Sequence, residues 1–284
     1  MTGVRKRLLA VGVAVVLATT AAAATATAAP TGEFAQFAQC EYENIEVETC
    51  IDWTWSAGTF KIGSKTIPIK NPITLQASYL AEMQLRGATN GSTLSKTPQP
   101  VPGGLSGVTA PTSWPAWLQE YFNEAIEEGF TGINATIELA GPTKGLTNAT
   151  LSTENLFLEE GTTLGLPVKI HLENAILGSE CYFGSNAQPI QLHLTTGVSG
   201  ALTGSVGELM FNGAFTLLDL TKNRLVDETF AVPGASGCGG MFSAYFDPLV
   251  DSIFGTPAAV GKNHAVLEGT LTEAEREAVF LSGP

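Results

Sequence analysis

From Val47 onward the sequence consists of short runs of Ile, Val, Leu, Thr and Phe that alternate with polar residues and are broken by Gly, Pro or Asn. A period of two confines such runs to strands with one buried and one wet face, and the frequent breaks favour antiparallel neighbours joined by tight turns. GTFKIGSKTIPI sets out the pattern: Phe60 and Ile62, then Gly63-Ser64 as a two-residue turn, then Ile67 and Ile69. INATIELAG alternates from Ile133 to Leu139, FTLLDLTKNRLVDETF reads as two strands around Lys222-Asn223, and HAVLEGTL supplies another strand near the C-terminus. NATIEL at Asn134 and NATLST at Asn148 echo each other and read as two arms of one hairpin. About eight to eleven strands of this kind predict a mainly β protein, an antiparallel β-sandwich or a barrel-like sheet.

Two helices interrupt the pattern. In SWPAWLQEYFNEAIEEGF the residues Trp114, Trp117, Leu118, Tyr121, Phe122, Ala125 and Ile126 recur at three- and four-residue intervals, which predicts one amphipathic helix over about 114–128 with Ser113 as its cap and Gly129 at its end. Its bulky face either docks on the sheet or meets a ligand, and Trp114, Trp117, Tyr121 and Phe122 are the residues that would carry the contact. A short C-terminal helix is predicted in TEAEREAVFL, where Thr272 and Glu275 stand at capping-box spacing. Ahead of the first helix, Arg86 to Ser113 has few large apolar groups and reads as a long, mobile surface loop within a single domain.

The N-terminus has a different logic. Arg5-Lys6-Arg7, an apolar run from Leu8 to Leu17 and an Ala/Thr-rich end compose a secretory signal over residues 1–28, with cleavage after Ala28. The apolar run is shorter than the roughly 20 residues of a membrane-spanning helix, so the exported domain, 29–284, carries no membrane span. Cleavage removes three basic residues and no acidic one, leaving 11 basic against 27 acidic residues and a net charge of about −16. That charge repels phosphate backbones, so nucleic acid is not an expected partner. Contact with a cell envelope, a glycan or a lipid stays open.

All four cysteines lie in the exported part. Three pairings are available, and Cys40 with Cys50 and Cys181 with Cys238 is the favoured one, each bond stabilising by about 2–4 kcal/mol. Paired cysteines leave no thiolate nucleophile. The serines in GASGCGG and GVSGA lack the G-x-S-x-G spacing of a nucleophile elbow. Carboxylates such as Glu138, Glu173 and Glu208 are too many to select a glycosidase pair. CEYENIEVETCID reads as a solvated acidic loop closed by a disulfide rather than as a calcium site.

The chain has three histidines. If Val168–Leu172 and Ile190–Leu194 pair about Tyr182, His171 faces His193 and Glu173 becomes a diagonal third ligand for a metal ion. The metal pair is the alternative; the favoured expectation is two ordinary solvent-side histidines of a β-hairpin whose loop is pinned by Cys181, and no metal. No cofactor motif is present, and the expected cofactor and catalytic sets are empty.

FKIGSKTIPIKNPITLQ, HLENAILGSECYFGSNAQPIQLHLTTG, VGELMFNGAFTLLDLTKNRLVDETFAVPGASGCGG and AAVGKNHAVLEGTL together resemble segments of a group of exported actinobacterial proteins known mainly as hypothetical proteins. The resemblance implies a secreted, disulfide-bearing β domain and no activity or site residue. The sequence therefore predicts a secreted, non-enzymatic extracellular or cell-surface protein. A binding module for an apolar or glycan ligand, held between sheet and helix, is the alternative, and a secreted hydrolase is the second.

Overall fold

The computed structural model describes residues 29–283, so the signal expected over 1–28 lies outside the described residues. Strands β1 (Val47–Ile62), β2 (Lys65–Pro68), β3 (Ile73–Leu80), β4 (Gln84–Gly87) and β5 (Gln99–Pro100) precede helix α1 (Ala116–Glu127). Then come β6 (Asn134–Leu139), β7 (Gly145–Leu151), helix α2 (Thr153–Leu158), β8 (Leu164–Glu173), β9 (Tyr182–Phe183) and β10 (Ile190–Leu194). The rest is β11 (Val198–Ser199), β12 (Leu202–Thr203), β13 (Glu208–Phe211), β14 (Leu217–Asp227), β15 (Ala235–Ser236), helix α3 (Ser243–Phe254), β16 (His264–Glu275) and helix α4 (Arg276–Leu281).

The fold is mainly β and antiparallel, as the alternation predicts. One large sheet runs in the order β13-β14-β16-β1-β3-β4-β7-β8-β6-β5, with β2 on β1 and with β9 and β10 on β8. It folds over so that Trp55, Phe60, Ile73 and Leu267 from one half meet Ile137, Leu166, Val168 and Leu192 from the other around a void of about 10 Å³. A void of that size sits at the threshold for one water molecule, far below the several hundred Å³ of a ligand site. The sheet does not close into a barrel. Strands β10 and β14 touch through the isolated bridge Thr195↔Val226.

Two bulges keep the apolar side chains inside. Along β1 the buried positions are the odd-numbered Ile51, Trp53 and Trp55, then the even-numbered Phe60 and Ile62. The change of parity is absorbed by a register shift between Trp55 and Ala57, after Trp55↔Gly269 and before Ala57↔Glu268. Strand β14 does the same between Leu220↔Leu271 and Asn223↔Gly269. One extra residue turns every later side chain to the opposite face, so each bulge returns its strand's apolar set to the core. Strand β16 lies between them without a bulge, and Gly269 is the residue opposite both.

Four expectations are corrected here. Lys222-Asn223 is not a turn between two strands. It is the bulge within β14, with Lys222 left-handed at φ 56°, because β16 continues alongside and the chain never reverses. NATIEL and NATLST are not arms of one hairpin, since β6 and β7 run in the same direction, both antiparallel to β8, at Asn134↔Glu173 and Thr150↔Gly165. Thr272 caps no helix; it lies inside β16 and its hydroxyl donates to Asp219 at 2.7 Å, which delays α4 to Arg276. The segment 86–113 is not a surface loop, because Leu94, Val101, Leu105 and Ala110 enter the core and β5 pairs with β6. Small apolar residues suffice there because the backbone supplies the anchoring, as in Val101 N–H to Ile133 at 2.8 Å.

Both disulfides form as expected, Cys40–Cys50 and Cys181–Cys238. No helix among the described residues is long and apolar enough to cross a membrane.

Gly269→Ala tests the double bulge. A Cβ there would lie 1.9 Å from the Thr54 carbonyl oxygen and 2.7 Å from the Trp55 Cα, both backbone atoms that cannot swing away. The expected loss is about 1–3 kcal/mol in urea unfolding. Gly213→Ala, where nothing lies within 4 Å of the new Cβ, should leave the midpoint unchanged.

Candidate functional site

The structure separates the two histidines. His193 pairs with Gly165 and His171 with Tyr182, so the expected facing pair is corrected by six residues of register. The cause is β9. Held by the Cys181–Cys238 bond, it occupies the edge of β8 at Ile170 and His171, and β10 takes only the edge from Leu164 to Val168. His193 is exposed, and its backbone N–H donates to buried Asp227 at 2.7 Å. His171 is largely covered.

Around His171 the sheet gathers a polar patch. Glu138 on β6, 7% exposed, lies 3.4 Å from Lys169 and 3.5 Å from Lys96. The His171 Nδ1 is 3.8 Å from Glu138 and 3.7 Å from Glu173, and the ring stacks on Tyr182 with centroids 4.5 Å apart. The Lys169 ammonium sits 4.6 Å over the same tyrosine ring. Burial foremost, and then Glu138, Glu180 and Glu173, push the Tyr182 hydroxyl above its ordinary pKa. The His171 Nε2 is buried without a hydrogen-bond partner, while the hydroxyl of Thr136, its cross-strand neighbour, turns to Glu173 at 3.4 Å. The patch joins β6, β8 and β9 through the Glu138–Lys169 ion pair and the stacking of His171 on Tyr182.

The other polar candidates are similarly committed. Glu41 receives the Arg86 guanidinium at 2.7 Å, and Asp52 receives Thr54 at 3.2 Å and Gln76 at 2.9 Å. Ser199 accepts from the Glu228 N–H, and Ser236 donates to the Tyr182 carbonyl. No group of three His, Cys, Asp or Glu among the described residues is arranged to hold a metal ion.

The expected aromatic face divides in two. Helix α1 begins after Pro115, with no side-chain cap from Ser113, and Trp114, Leu118, Phe122 and Ala125 are buried. They pack against α3, which the sequence reading missed: Trp114 meets Phe246 at 5.1 Å and Tyr245 at 5.9 Å, and Phe122 meets Phe246 at 6.0 Å. The spacing of Tyr245, Phe246, Leu249, Val250, Ile253 and Phe254 carries the signal for α3, and Pro248 inside the run obscures it. The rings of Trp114, Phe122, Tyr245 and Phe246 occupy the space between α1 and α3. Trp117 and Tyr121 lie on the outer side, 54% and 53% exposed, and Trp117 is braced edge-on by Phe242 at 5.3 Å. Beside them Tyr121, Glu124, Glu128, Phe130 and Ile176 line a shallow groove of about 180 Å³.

A second cleft, about 310 Å³, opens where β1, β14 and β16 end near α2. Glu273 on β16 stands between Ile51 and Leu218, on the side of the sheet that carries Leu271. Burial foremost, with Glu48 adding to it, raises its carboxyl above the usual carboxylate range. Thr49, whose hydroxyl lies near enough to favour the charged form, reaches no partner at hydrogen-bonding geometry. The sequence signal for Glu273 was its place in step with Leu267 and Leu271 on a strand, hidden by the reading of this stretch as helix.

No known protein family, curated protein or solved structure matches this chain.

The raised Glu273 pKa has a definite sign. The folded protein holds this proton more tightly than the unfolded chain, whose reference value is 4.5, so the contribution to stability is full below that value and is lost as pH rises through the folded pKa. Glu273→Gln should raise the melting temperature at pH 7, and the gain should vanish near pH 4. Thermal unfolding of both proteins across that range checks it.

Proposed function

We propose that the protein is an exported extracellular binding protein, not an enzyme, and that the outer face of α1 contacts carbohydrate. The observation that carries this reading is the division of one aromatic stripe. Trp114, Leu118 and Phe122 anchor the helix, while Trp117 and Tyr121 stay more than half exposed. Exposed rings on a docked helix contribute little burial energy to the fold, and rings held by a rigid base present flat faces to a ligand at little entropic cost. The adjoining groove supplies what a sugar needs beside a ring: the Glu124 and Glu128 carboxylates accept hydroxyl hydrogen bonds, and Phe130 offers a second apolar surface. Two disulfides fit an oxidising compartment, and the strongly acidic balance suits an uncharged polar ligand better than an anionic lipid surface.

Tryptophan emission isolates this face, because Trp53, Trp55 and Trp114 are 0%, 1% and 7% exposed and Trp117 alone is open. Titration with soluble oligosaccharides of glucose and of N-acetylglucosamine should give a saturable change in emission for at least one series, absent in Trp117→Ala with the far-UV circular dichroism unchanged. No response to either series, or a response that survives Trp117→Ala, contradicts the reading.

A further inference from the structure

We propose that the cleft at the end of β16 binds an organic cation, an ammonium group carried on a short apolar stem. This site is separate from the face of α1 and does not depend on the carbohydrate reading.

The charge is one-sided. Glu273 and Glu275 line the cleft with Thr49, Thr153 and Thr216, and no lysine or arginine does. The walls are apolar. Phe157 and Phe215 stand 48% and 71% exposed at its rim, and Leu218 borders Glu273 from β14. Carboxylates set against open aromatic faces suit a soft, weakly hydrated cation, whose charge is met by the acids and whose methylenes or methyls are met by the rings. A hard metal ion instead favours several convergent carboxylates, and no group of three His, Cys, Asp or Glu is so arranged among the described residues.

Two further features shape the cleft. The Thr49 side chain lines this cleft, with its hydroxyl near enough to Glu273 to favour the charged carboxylate. Phe215 holds a left-handed backbone at φ 58°, a conformation that large side chains rarely take, and its ring rests on Phe211 at 5.6 Å. The desolvation of Glu273 is consistent with a carboxylate that awaits a counter-charge, which an ammonium group supplies without the hydration that burial has removed.

The test is calorimetric titration of the exported domain with butyltrimethylammonium, with butanol and butyrate as neutral and anionic probes of similar stem length. The expected result is saturable binding of the cation only. Glu273→Gln should weaken it about tenfold or more, and Phe215→Gly, which keeps the left-handed backbone and removes the ring, should weaken it severalfold. Thermal unfolding of both variants confirms that they fold. Equal binding of butanol, binding unaltered by Glu273→Gln, or displacement of the probe by millimolar calcium would each overturn the proposal. Failure here leaves the Trp117 titration untouched, because the two sites share no residue.

Discussion

The fold depends on how β16 fits between two strands that each carry one residue too many. Gly269 lies opposite the bulges of β1 and β14 together, and its missing side chain is what lets the Thr54 carbonyl and the Trp55 backbone come so close. With the bulges, Trp53 and Trp55 share the interior with Phe60 and Ile62, and Leu220 shares it with Leu225. Without them half of each strand would turn its apolar side chains to water, at about 1.5–3 kcal/mol for each large residue exposed. The unbulged strand also carries the alternation through to its far end. Because β16 keeps one parity, Glu273 remains on the core side beyond Leu271, and the second cleft exists for that reason.

The strand composition of the sequence was sufficient for the class of fold, for the Gly63-Ser64 hairpin and for the Cys40–Cys50 bond, because these rest on local chemistry: period-two patterning, a turn dipeptide and short loop closure; Cys181–Cys238, 57 residues apart, is the pair that remains once the first two cysteines join. What stayed hidden was set by pairing over distance. Nothing local distinguishes Lys222-Asn223 as a bulge from the same dipeptide as a turn, since the difference is whether β16 runs past it. Thr272 and Glu275 have true capping-box spacing, and the strand wins because two neighbours pair with it. The two-residue strand β9, fixed by Cys181, displaced the His171–His193 pairing in the same way.

The site residues follow that division. The helix periodicity picked out Trp114, Trp117, Tyr121 and Phe122 as one stripe, but only packing against α3 decides which of them are spent on the core and which stay open. Pro248 masked α3, and with it the partner against which Trp114 and Phe122 pack. His171, first of interest as a metal ligand, instead stacks on Tyr182 beside the Glu138–Lys169 ion pair that spans β6 and β8. Glu273 was invisible to sequence reading because a carboxylate in step with leucines has meaning only once the stretch is known to be a strand.

The central claim, that β16 stays regular while its neighbours absorb the extra residue, is a statement about register and is tested most directly by interstrand backbone nuclear Overhauser effects in solution. The bulged register places Trp53 opposite Leu271 and Phe60 opposite Ala265. Cross-strand effects within both pairs are the predicted result. Effects linking Phe60 with His264 instead, as an unbulged continuation from Trp53 and Leu271 would require, would contradict the account.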